Sequence, residues 1–295
     1  MTKVPLFSIV IANYNYGRFL EDAIKSLLSQ SCQDFELIIV DGGSTDNSVE
    51  VIRKYAGRLS SGEVKVRGEG EQWNFPISYW ISEKDKGQSE AFNKGFAHAH
   101  GKYLTWLNAD DVFTPGALGA VAAYVKKHPR CEWVIGSSLW ADENLKVTQC
   151  FCAHRFSVLR AKWGFLSAGG PSSFFTKRLL DEAGGIDENL HYVMDTDLWY
   201  KFARAGHRYA RVRHNVFAYR QHEASKMSGA DSHTTARALE NRRKAGLESK
   251  ILSDRYGRRA GVSYRLAHLF SLSLIDHVVA KWRNYKWRGK YATEI

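Results

Sequence analysis

Acidic side chains stand just beyond three predicted strands of this 295-residue sequence, where α/β sheets bind their ligands. Asp41 and Asp85 each follow one strand, and the adjacent pair Asp110 and Asp111 follows another. For Asp41 alone, an ordinary polar turn explains the residue equally well. Neighbouring carboxylates repel each other unless a cation compensates, and oxygen ligands suit Mg²⁺ or Mn²⁺. The pair therefore favours a metal site over a solvated turn.

A metal at this position would act in leaving-group chemistry, because it stabilises the negative charge that develops on a departing phosphate. The first strand-to-helix turn, 12–17, reads ANYNYG and lacks the glycine pattern of a dinucleotide-binding fold or a P-loop. This pattern disfavours a nicotinamide oxidoreductase or an ATPase. A metal is then the obvious means of neutralising a diphosphate.

Strand and helix patterns alternate through the first part of the chain. The predicted strands are 7–12, 35–40, 79–82 and 103–107, and the predicted helices are 19–28, 49–55, 89–98 and 114–127. Residues 44–46 and Thr114 are candidate N-caps of the second and fourth helices. Such alternation predicts an α/β fold with a largely parallel sheet covered on both faces.

The second part of the chain is richer in strand patterns and ends in helices. Strands are predicted at 133–140, 145–151 and 208–219, with helical pieces at 177–183 and 197–205 and two longer helices at 232–253 and 262–285. Asp197 is placed to cap the helix that it begins. The prediction is an α/β core with a mixed second half and a helical C-terminal extension.

The charge is unevenly distributed. From residue 226 onward there are 15 Lys and Arg against 6 Asp and Glu, whereas the first 225 residues hold 27 against 25. The apolar stretch 7–12 is too short for a signal peptide, and no run reaches the roughly 18 apolar residues of a membrane-spanning helix. With four cysteines that show no metal-ligand spacing, we expect reduced thiols in a cytoplasmic protein.

Ordered motifs carry a family resemblance. The sequence reads SIVIANYN at 8–15, DGGSTD at 41–46, DKGQS at 85–89, WLNADD at 106–111, GPSSFF at 170–175, GGID at 184–187, MDTDLW at 194–199 and YRQH at 219–222. In this order and spacing, the motifs resemble glycosyltransferase family 2 over roughly 5–226. The resemblance implies a GT-A fold, with a Rossmann-like, mostly parallel mixed sheet flanked by helices. We expect a catalytic domain over 1–225, with a nucleotide-sugar half to about 112 and an acceptor half after it, and a basic helical extension over 226–295.

The resemblance also implies an activity, which is inverting transfer of a sugar from a nucleotide-sugar donor, usually a UDP-sugar, to an acceptor hydroxyl with Mn²⁺ or Mg²⁺ as cofactor. By this resemblance Ala12, Asn13 and Tyr14 line the nucleotide pocket, and Asp41 recognises the base. Asp85 and Gln88 are expected to line the donor sugar and diphosphate, although a turn and a helix start also explain this segment.

In the same family, the motif at 108–111 binds the metal and the ribose. Asp111 is the implied main metal ligand, and Asp110 is shared between ribose and metal. Asn108 stands where an acid is often present, so these contacts are expected to be redistributed. His222 and Arg220 are implied to approach the metal or the diphosphate.

The catalytic base is implied at Asp195. Direct displacement inverts the anomeric carbon and needs one base on the acceptor side, so no covalent nucleophile is assigned. Asp197 is the alternative base, but its position before the apolar pair 198–199 favours a helix cap.

Acceptor binding is less defined by the sequence. Trp163, Phe165 and the segment 171–175 form a candidate aromatic platform for a saccharide or lipid-linked saccharide, while Phe174 and Phe175 are equally well explained as core strand residues. The tail sequence KWRNYKWR at 281–288 interleaves cations with aromatics, which suits the inner face of an anionic membrane in cell-surface polysaccharide or glycolipid assembly. The alternative is that the tail packs on the catalytic domain or forms a homodimer contact.

Two other functions are alternatives to the glycosyltransferase hypothesis. A metal-dependent nucleotidyltransferase would also bind a diphosphate, but the chain lacks a Gly-rich or Lys-rich phosphate clamp. A nucleic-acid-binding protein would explain the basic tail, yet acids at the strand ends repel phosphates and no base-reading motif is present. We therefore expect no nucleic-acid partner.

Overall fold

A nine-stranded mixed sheet runs through the part of the chain that the computed structural model describes, which is residues 4–63, 77–158, 166, 169–226, 236–257 and 274–295, without the side chains of 237, 238 and 274–280. The strand order is β3-β2-β1-β4-β8-β6-β9-β5, with β7 pairing with β6. The strands are β1 Phe7–Asn13, β2 Phe35–Asp41, β3 Ile77–Ser82, β4 Tyr103–Asn108, β5 Val112–Phe113, β6 Trp133–Ala141, β7 Val147–Phe151, β8 Ser173–Thr176 and β9 Ala210–Arg220.

Helices cover both faces of this sheet. They are α1 Gly17–Leu28, α2 Ser48–Ala56, α3 Gln88–Ala97, α4 Ala117–Lys127, α5 Lys177–Glu182, α6 Met194–Arg204, α7 Ala236–Tyr256 and α8 Leu274–Trp287, with short 3₁₀ turns at Gly170–Ser172 and Ala292–Glu294. Within the described ranges, no helix combines the length and the apolarity needed to cross a membrane.

The ends of the parallel strands meet along one edge of the sheet. Asn13 pairs with Asp41 across β1 and β2, and Ala12 pairs with Asn108 across β1 and β4. Strand β8 is antiparallel to both β4 and β6, and β6 is parallel to β9, so β6 and β9 run in the same direction as β4. We call the edge where these strands end the carboxyl edge. The polar residues of the motifs therefore converge there.

Two apolar layers hold the sheet in place. Along β1, Ile9 and Ile11 pack under α1, α2 and α4, while Val10 packs on the other face with α3, α5 and α6. This alternation follows from the two-residue period of a strand that is buried on both sides. Stacked indoles of Trp106 and Trp199, 5.5 Å apart, join β4 to α6 and fix that helix beside the carboxyl edge.

The C-terminal segments pack on the sheet domain. Leu252 of α7 is fully buried among the residues around α3 and α6. After α8, the backbone amide of Val147 donates to the carbonyl of Lys290 at 2.8 Å, and the amide of Ala292 donates to the carbonyl of Leu145 at 2.8 Å. The described part of the tail therefore packs on the sheet domain, and its contact with a membrane or a second copy stays a prediction. Residues 258–273, where the last predicted helix begins, lie outside the described residues.

Three local expectations were wrong. Helix α6 begins at Met194, so Asp197 lies inside it rather than capping it. The Thr114 hydroxyl donates to the carbonyl of Asn215 instead of capping α4, whose N-cap is Gly116 in a left-handed conformation at φ 73°. Helix α2 begins at Ser48 with Asn47 as its N-cap; of the candidates 44–46, Ser44 binds Asp41, whereas Asp46 Oδ1 accepts from the Ser48 amide at 3.0 Å. Thr114 and Asp197 have polar partners far along the chain, and Ser44 has one three residues away, so contacts outside the helix occupy the side chains that the local pattern assigned to it.

Candidate active site

Asp41 is a buried polar hub under the first strand-to-helix turn. Its Oδ1 accepts hydrogen bonds from Asn13 Nδ2 at 2.6 Å and Ser44 Oγ at 2.5 Å. Its Oδ2 accepts from the Ser44 amide at 2.9 Å and from Ser82 Oγ at 2.6 Å. These four donors fill the acceptor capacity of a carboxylate. Asp41 therefore ties β1, β2 and β3 together at the carboxyl edge, and its role in base recognition stays a prediction.

The loop after β1 offers polar and aromatic groups above this hub. Asn13 Oδ1 is buried and has no hydrogen-bond partner within the described residues. Tyr14 is 60% exposed beside it, and Ala12 is half-buried at the end of β1. Asn15, at φ 55°, locks the loop by accepting from the Thr45 amide at 2.8 Å. The loop therefore forms a fixed recess that presents the Asn13 Oδ1 acceptor and the exposed ring of Tyr14.

Asp85 closes the same recess from the side of β3. A side chain at Gly42 would come within 2.8 Å of Asp85 Oδ2, so the two loops are in direct contact. Asp85 Oδ1 accepts from the Gly87 amide at 2.8 Å. Burial raises the pKa of Asp85, and the hydrogen bond from Gly87 acts in the opposite direction.

A continuous line of hydrogen bonds runs from Asp111 along the carboxyl edge. Asp111 Oδ2 accepts from Asn108 Nδ2 at 2.7 Å, and Asn108 Oδ1 accepts from Gln88 Nε2 at 2.6 Å. Gln88 Oε1 in turn accepts from Lys226 Nζ at 2.8 Å. Lys226 Nζ also reaches the carbonyl of His191 at 3.3 Å. The line of hydrogen bonds ends at the ammonium group of Lys226, a residue that the sequence motifs did not identify as part of the site.

Asp110 faces His222 across the edge. Asp110 Oδ2 lies 3.1 Å from His222 Nε2, and both side chains are almost completely buried. The imidazole packs against the rings of Phe19 and Tyr16, at 4.5 and 5.5 Å between centroids. These contacts fix the ring, while its Nδ1 has no hydrogen-bond partner within the described residues.

The residues present fit a divalent cation that is shared with a diphosphate. Asp110 supplies carboxylate oxygens, the donors that Mn²⁺ and Mg²⁺ prefer, and the imidazole of His222 adds a nitrogen donor beside them. In the described ranges, no three His, Cys, Asp or Glu side chains converge as a complete protein site. Phosphate oxygens and water would have to complete the coordination, as is usual for Mg²⁺.

Asp111 is fully buried and differs from its neighbour. Its Oδ1 accepts from the backbone amide of Arg220 at 3.0 Å, so both carboxylate oxygens are held by protein donors. Burial, and then the charge of Asp110, raise its pKa well above the usual range. Its role as the main metal ligand stays a prediction.

The Arg220 side chain points away from the two aspartates. Its Nη2 donates to Asp22 Oδ2 at 2.8 Å, and its guanidinium lies 4.6 Å from the centre of the Phe19 ring. The structure thus brings the backbone of Arg220 to Asp111 and commits its side chain to α1. Diphosphate binding by this guanidinium stays a prediction.

Asp195 lies in the first turn of α6, next to the 3₁₀ turn at 170–172. Its Oδ1 accepts from the Thr196 amide at 2.6 Å. Burial raises the pKa of Asp195, against the opposing effect of hydrogen bonds from Thr196. A carboxylate with raised proton affinity is suited to accept a proton near neutral pH.

Asp197, the alternative base, is fully buried and structurally engaged. Its Oδ1 accepts from Arg255 Nη1 at 2.7 Å and from Tyr256 Oη at 2.6 Å, and its Oδ2 lies 3.2 Å from Lys201 Nζ. Arg255 also contacts Asp187 at 2.9 Å. These contacts explain the residue as an anchor between α6 and α7.

Glu248 of α7 holds the segment that leads into α6. Its carboxylate accepts from the backbone amides of His191, Tyr192 and Val193, at 3.0, 2.7 and 3.2 Å. No local sequence pattern indicates this contact, because the partners lie more than fifty residues apart in the chain. Together with Lys226, Glu248 is a residue near the site that the motifs did not predict.

Ser89 and two of the candidate acceptor residues have structural contacts in the described part of the chain. Ser89 is the second residue of α3 rather than its cap, and its hydroxyl contacts Met194 Sδ at 2.8 Å. Phe174 and Phe175 are fully buried in β8, which confirms their interpretation as core strand residues. Trp163 and Phe165 lie outside the described residues.

Comparisons with known proteins agree with the motifs. Residues 8–144 match the model of the family described as "Glycosyl transferase family 2". A "PGL/p-HBAD biosynthesis glycosyltransferase" of Mycobacterium bovis is 31% identical over 143 residues, which are 48% of this chain and 50% of the relative. The chain spans between 30% and 60% of the length of curated relatives that it matches.

Solved structures share the architecture. A mannosyltransferase from Pyrobaculum calidifontis, in complex with GDP-Man and Mn²⁺, matches with a TM-score of 0.55 and 17% identity over 96% of this chain and 85% of its own. TarS 1–349 of S. aureus, in complex with UDP-GlcNAc, matches with a TM-score of 0.55 and 16% identity over 92% of this chain and 77% of its own. At these identities the likeness is one of fold, and it confirms the predicted GT-A architecture.

Proposed function

We infer from the match of residues 8–144 that this chain belongs to glycosyl transferase family 2, and we infer its function from that family. We propose that it transfers a sugar from a nucleotide-sugar donor to an acceptor hydroxyl with inversion at the anomeric carbon. The observation that carries the proposal is the carboxyl edge itself. There Asp110 and His222 stand 3.1 Å apart, beside the hydrogen-bonded line from Asp111 to Lys226 and the helix that carries Asp195.

The donor nucleotide binds in the recess formed by the loops after β1 and β2. Asn13 Oδ1 is an unused buried acceptor there, suited to an N–H group of a base such as uracil. Tyr14 offers an exposed ring for the base or ribose. Asp41 organises both loops through its four hydrogen bonds and orients the Asn13 amide. A UDP-sugar is the donor that we propose first.

The diphosphate lies between the acids and Lys226. Asp110 and His222 would hold the divalent cation, Mn²⁺ or Mg²⁺, and its charge would stabilise the leaving nucleoside diphosphate. Lys226, fixed by Gln88, places an ammonium group at the far end of the line from Asp111. Asp111 keeps Asn108 in position by accepting a hydrogen bond from Asn108 Nδ2.

Asp195 is the proposed base. It accepts the proton of the acceptor hydroxyl as the oxygen attacks the anomeric carbon from the side opposite the diphosphate. The acceptor that we propose is a saccharide or lipid-linked saccharide of a cell-surface polymer or glycolipid. Support comes from the mycobacterial relative, whose name places it in PGL/p-HBAD biosynthesis.

A donor panel tests the proposal directly. The purified chain is incubated with UDP-, GDP- and dTDP-sugars in Mn²⁺ or Mg²⁺, and nucleotide release is followed by HPLC. We expect one donor class to yield nucleoside diphosphate. Release of pyrophosphate would assign the chain to nucleotidyl transfer, and absence of turnover and of binding for every donor would contradict the proposal.

A further inference from the structure

A second polar cavity lies away from the carboxyl edge. It has a volume of about 440 Å³ and is lined by Arg155, Arg208, Arg211 and Arg213 together with apolar and aromatic residues. This volume is within the range of small-molecule sites, which is roughly 300 to 1,000 Å³. Among the described residues, the lining contains four guanidinium groups and no carboxylate.

The position of the cavity follows from the sheet. Arg211 lies near the beginning of β9 and Arg220 at its end, so at about 3.3 Å per residue they are on the order of 25 to 30 Å apart. Arg220 marks the carboxyl edge, where its amide holds Asp111. The arginine cavity is therefore at the opposite end of the strand from the donor site.

Strand geometry directs the arginines to one side. Tyr209, Arg211 and Arg213 alternate with Val212, which is buried in the core of the opposite face. The wall behind them is rigid, because Tyr209 packs edge-on against both Phe156 and Trp133 at 5.1 Å between ring centroids. Arginine groups thus project over a fixed aromatic surface.

Three of these arginines have no partner among the residues that the structure describes. Arg155, Arg208 and Arg213 are exposed, and within the described residues their guanidinium groups make no hydrogen bond or ion pair. Arg211 donates to the carbonyl of Ala153 at 2.9 Å. The positive charges around the cavity repel each other. An anion bound between them would attract each of them, so the electrostatic interaction would become favourable.

The positive field extends to a neighbouring thiol. A hydrogen bond from Cys150, supported by the charges of Arg283 and Arg211, lowers the pKa of Cys152 to about 6, against the opposing effect of burial. The local environment therefore favours negative charge beyond the cavity itself.

We propose that this cavity is a second binding site, for a phosphate-type oxyanion such as a phosphomonoester or diphosphate group. Guanidinium forks match phosphate oxygens in paired hydrogen bonds, and the ring surface of Phe156 and Tyr209 accommodates an attached apolar or sugar group. The oxyanion belongs to a soluble phosphorylated compound or to the headgroup of a lipid. The site works independently of donor binding and goes beyond the proposed transfer.

Calorimetric titration with pyrophosphate tests the site in the full chain, in EDTA so that no metal recruits the anion to Asp110. We expect the double variant Arg208→Gln/Arg213→Gln to bind at least about tenfold more weakly, because each lost charge-assisted contact costs roughly that factor. The matched control, Lys126→Gln/Lys127→Gln on exposed α4 positions, removes the same charge and should bind as wild type.

Vesicles separate the two sources of the oxyanion. If vesicles of phosphatidic acid in phosphatidylcholine bind wild type but not the arginine variant, the ligand is a lipid headgroup. If the arginine variant loses only pyrophosphate binding, the ligand is soluble. Equal binding of both probes by the arginine variant and wild type, or no binding of either probe by wild type, overturns the proposal.

Discussion

Asp195 combines two properties that a base at neutral pH needs, a raised pKa and a place on a fixed helix. Burial disfavours its ionised form, so the carboxylate binds a proton more tightly than an ordinary aspartate. The nearby Asp197 is engaged in structural contacts, because Arg255 and Tyr256 both donate hydrogen bonds to its Oδ1. At the scale of single residues, the structure thus supports different roles for two carboxylates in one helix turn.

Replacing Asp195 by Asn should lower kcat by roughly 10²-fold or more with little change in donor affinity, because shape is kept and the proton acceptor is lost. The wild-type rate should fall with decreasing pH through a midpoint above about 3.9, the ordinary aspartate value, since only the ionised form accepts a proton. Steady-state kinetics over a pH series measure both effects.

The exposed Asp181→Asn on α5 is the control for that substitution and should keep the wild-type rate. Asp197→Asn should lower the melting temperature because Arg255 loses a buried partner. A fully active Asp195→Asn beside an inactive but folded Asp197→Asn would reverse the two assignments.

Metal use is a second prediction at the residue scale. EDTA should abolish donor turnover, and Mn²⁺ or Mg²⁺ should restore it. The variants Asp110→Asn and His222→Gln should each raise the metal concentration that gives the half-maximal rate at least about tenfold. Asp22→Asn, a neighbouring carboxylate that binds Arg220 instead, should leave this concentration unchanged. Full turnover in EDTA would refute the prediction.

At the scale of elements, α7 acts as a brace for α6. The Glu248 carboxylate accepts hydrogen bonds from three backbone amides that precede α6. Arg255 and Tyr256 donate hydrogen bonds to Asp197, which lies within α6. Ser89 of α3 contacts Met194, the first residue of α6, from the sheet side. The helix that carries the proposed base is thus fixed by side chains from two other helices.

Glu248→Ala should reduce kcat by about tenfold while donor KM stays near wild type, because the loss of a charge-assisted acceptor of roughly 1.5 to 3 kcal/mol releases the start of α6. Glu248→Gln, which keeps one acceptor, should recover part of the loss. Glu240→Gln, at a carboxylate of the same helix whose side chain is 44% exposed, is the matched control. An unchanged kcat in Glu248→Ala would show that α6 needs no brace.

The strands that pair in parallel at the centre of the sheet could be predicted from the sequence. Strands β1, β2 and β4 have long apolar runs, and their polar ends meet because parallel strands end at a common edge. The sequence did not predict β5, which has two residues, because a two-residue period needs a longer segment. Glu248 escaped prediction for a different reason, since its partners are set by tertiary packing alone.

At the scale of the whole molecule, the basic tail has two faces. Asn284 Oδ1 accepts from the Cys150 amide at 2.6 Å, so one face of α8 is docked on β7. Trp282 and Tyr285 remain 56% and 89% exposed on the other. Such aromatics beside cations suit a membrane interface, and we propose that this face meets anionic lipid while the docked face keeps its orientation.

Point variants test this face better than truncation, because removal of the tail would also strip its contacts with β7. Trp282→Ser/Tyr285→Ser should reduce binding to phosphatidylglycerol vesicles at least about tenfold and leave donor turnover intact. Tyr291→Ser, an exposed aromatic of the same tail, is the control. Equal vesicle binding by the double variant and wild type, measured by co-sedimentation, would exclude the anchor.

The brace on α6 has a consequence for the order in which the protein is made. All nine described strands precede residue 221, whereas Glu248 and Arg255 follow it, so the ribosome completes the sheet before it supplies the brace. Domains generally fold as they emerge during synthesis. A nascent chain stalled after the last strand is therefore expected to acquire nucleotide binding first and transfer competence only when α7 has been translated.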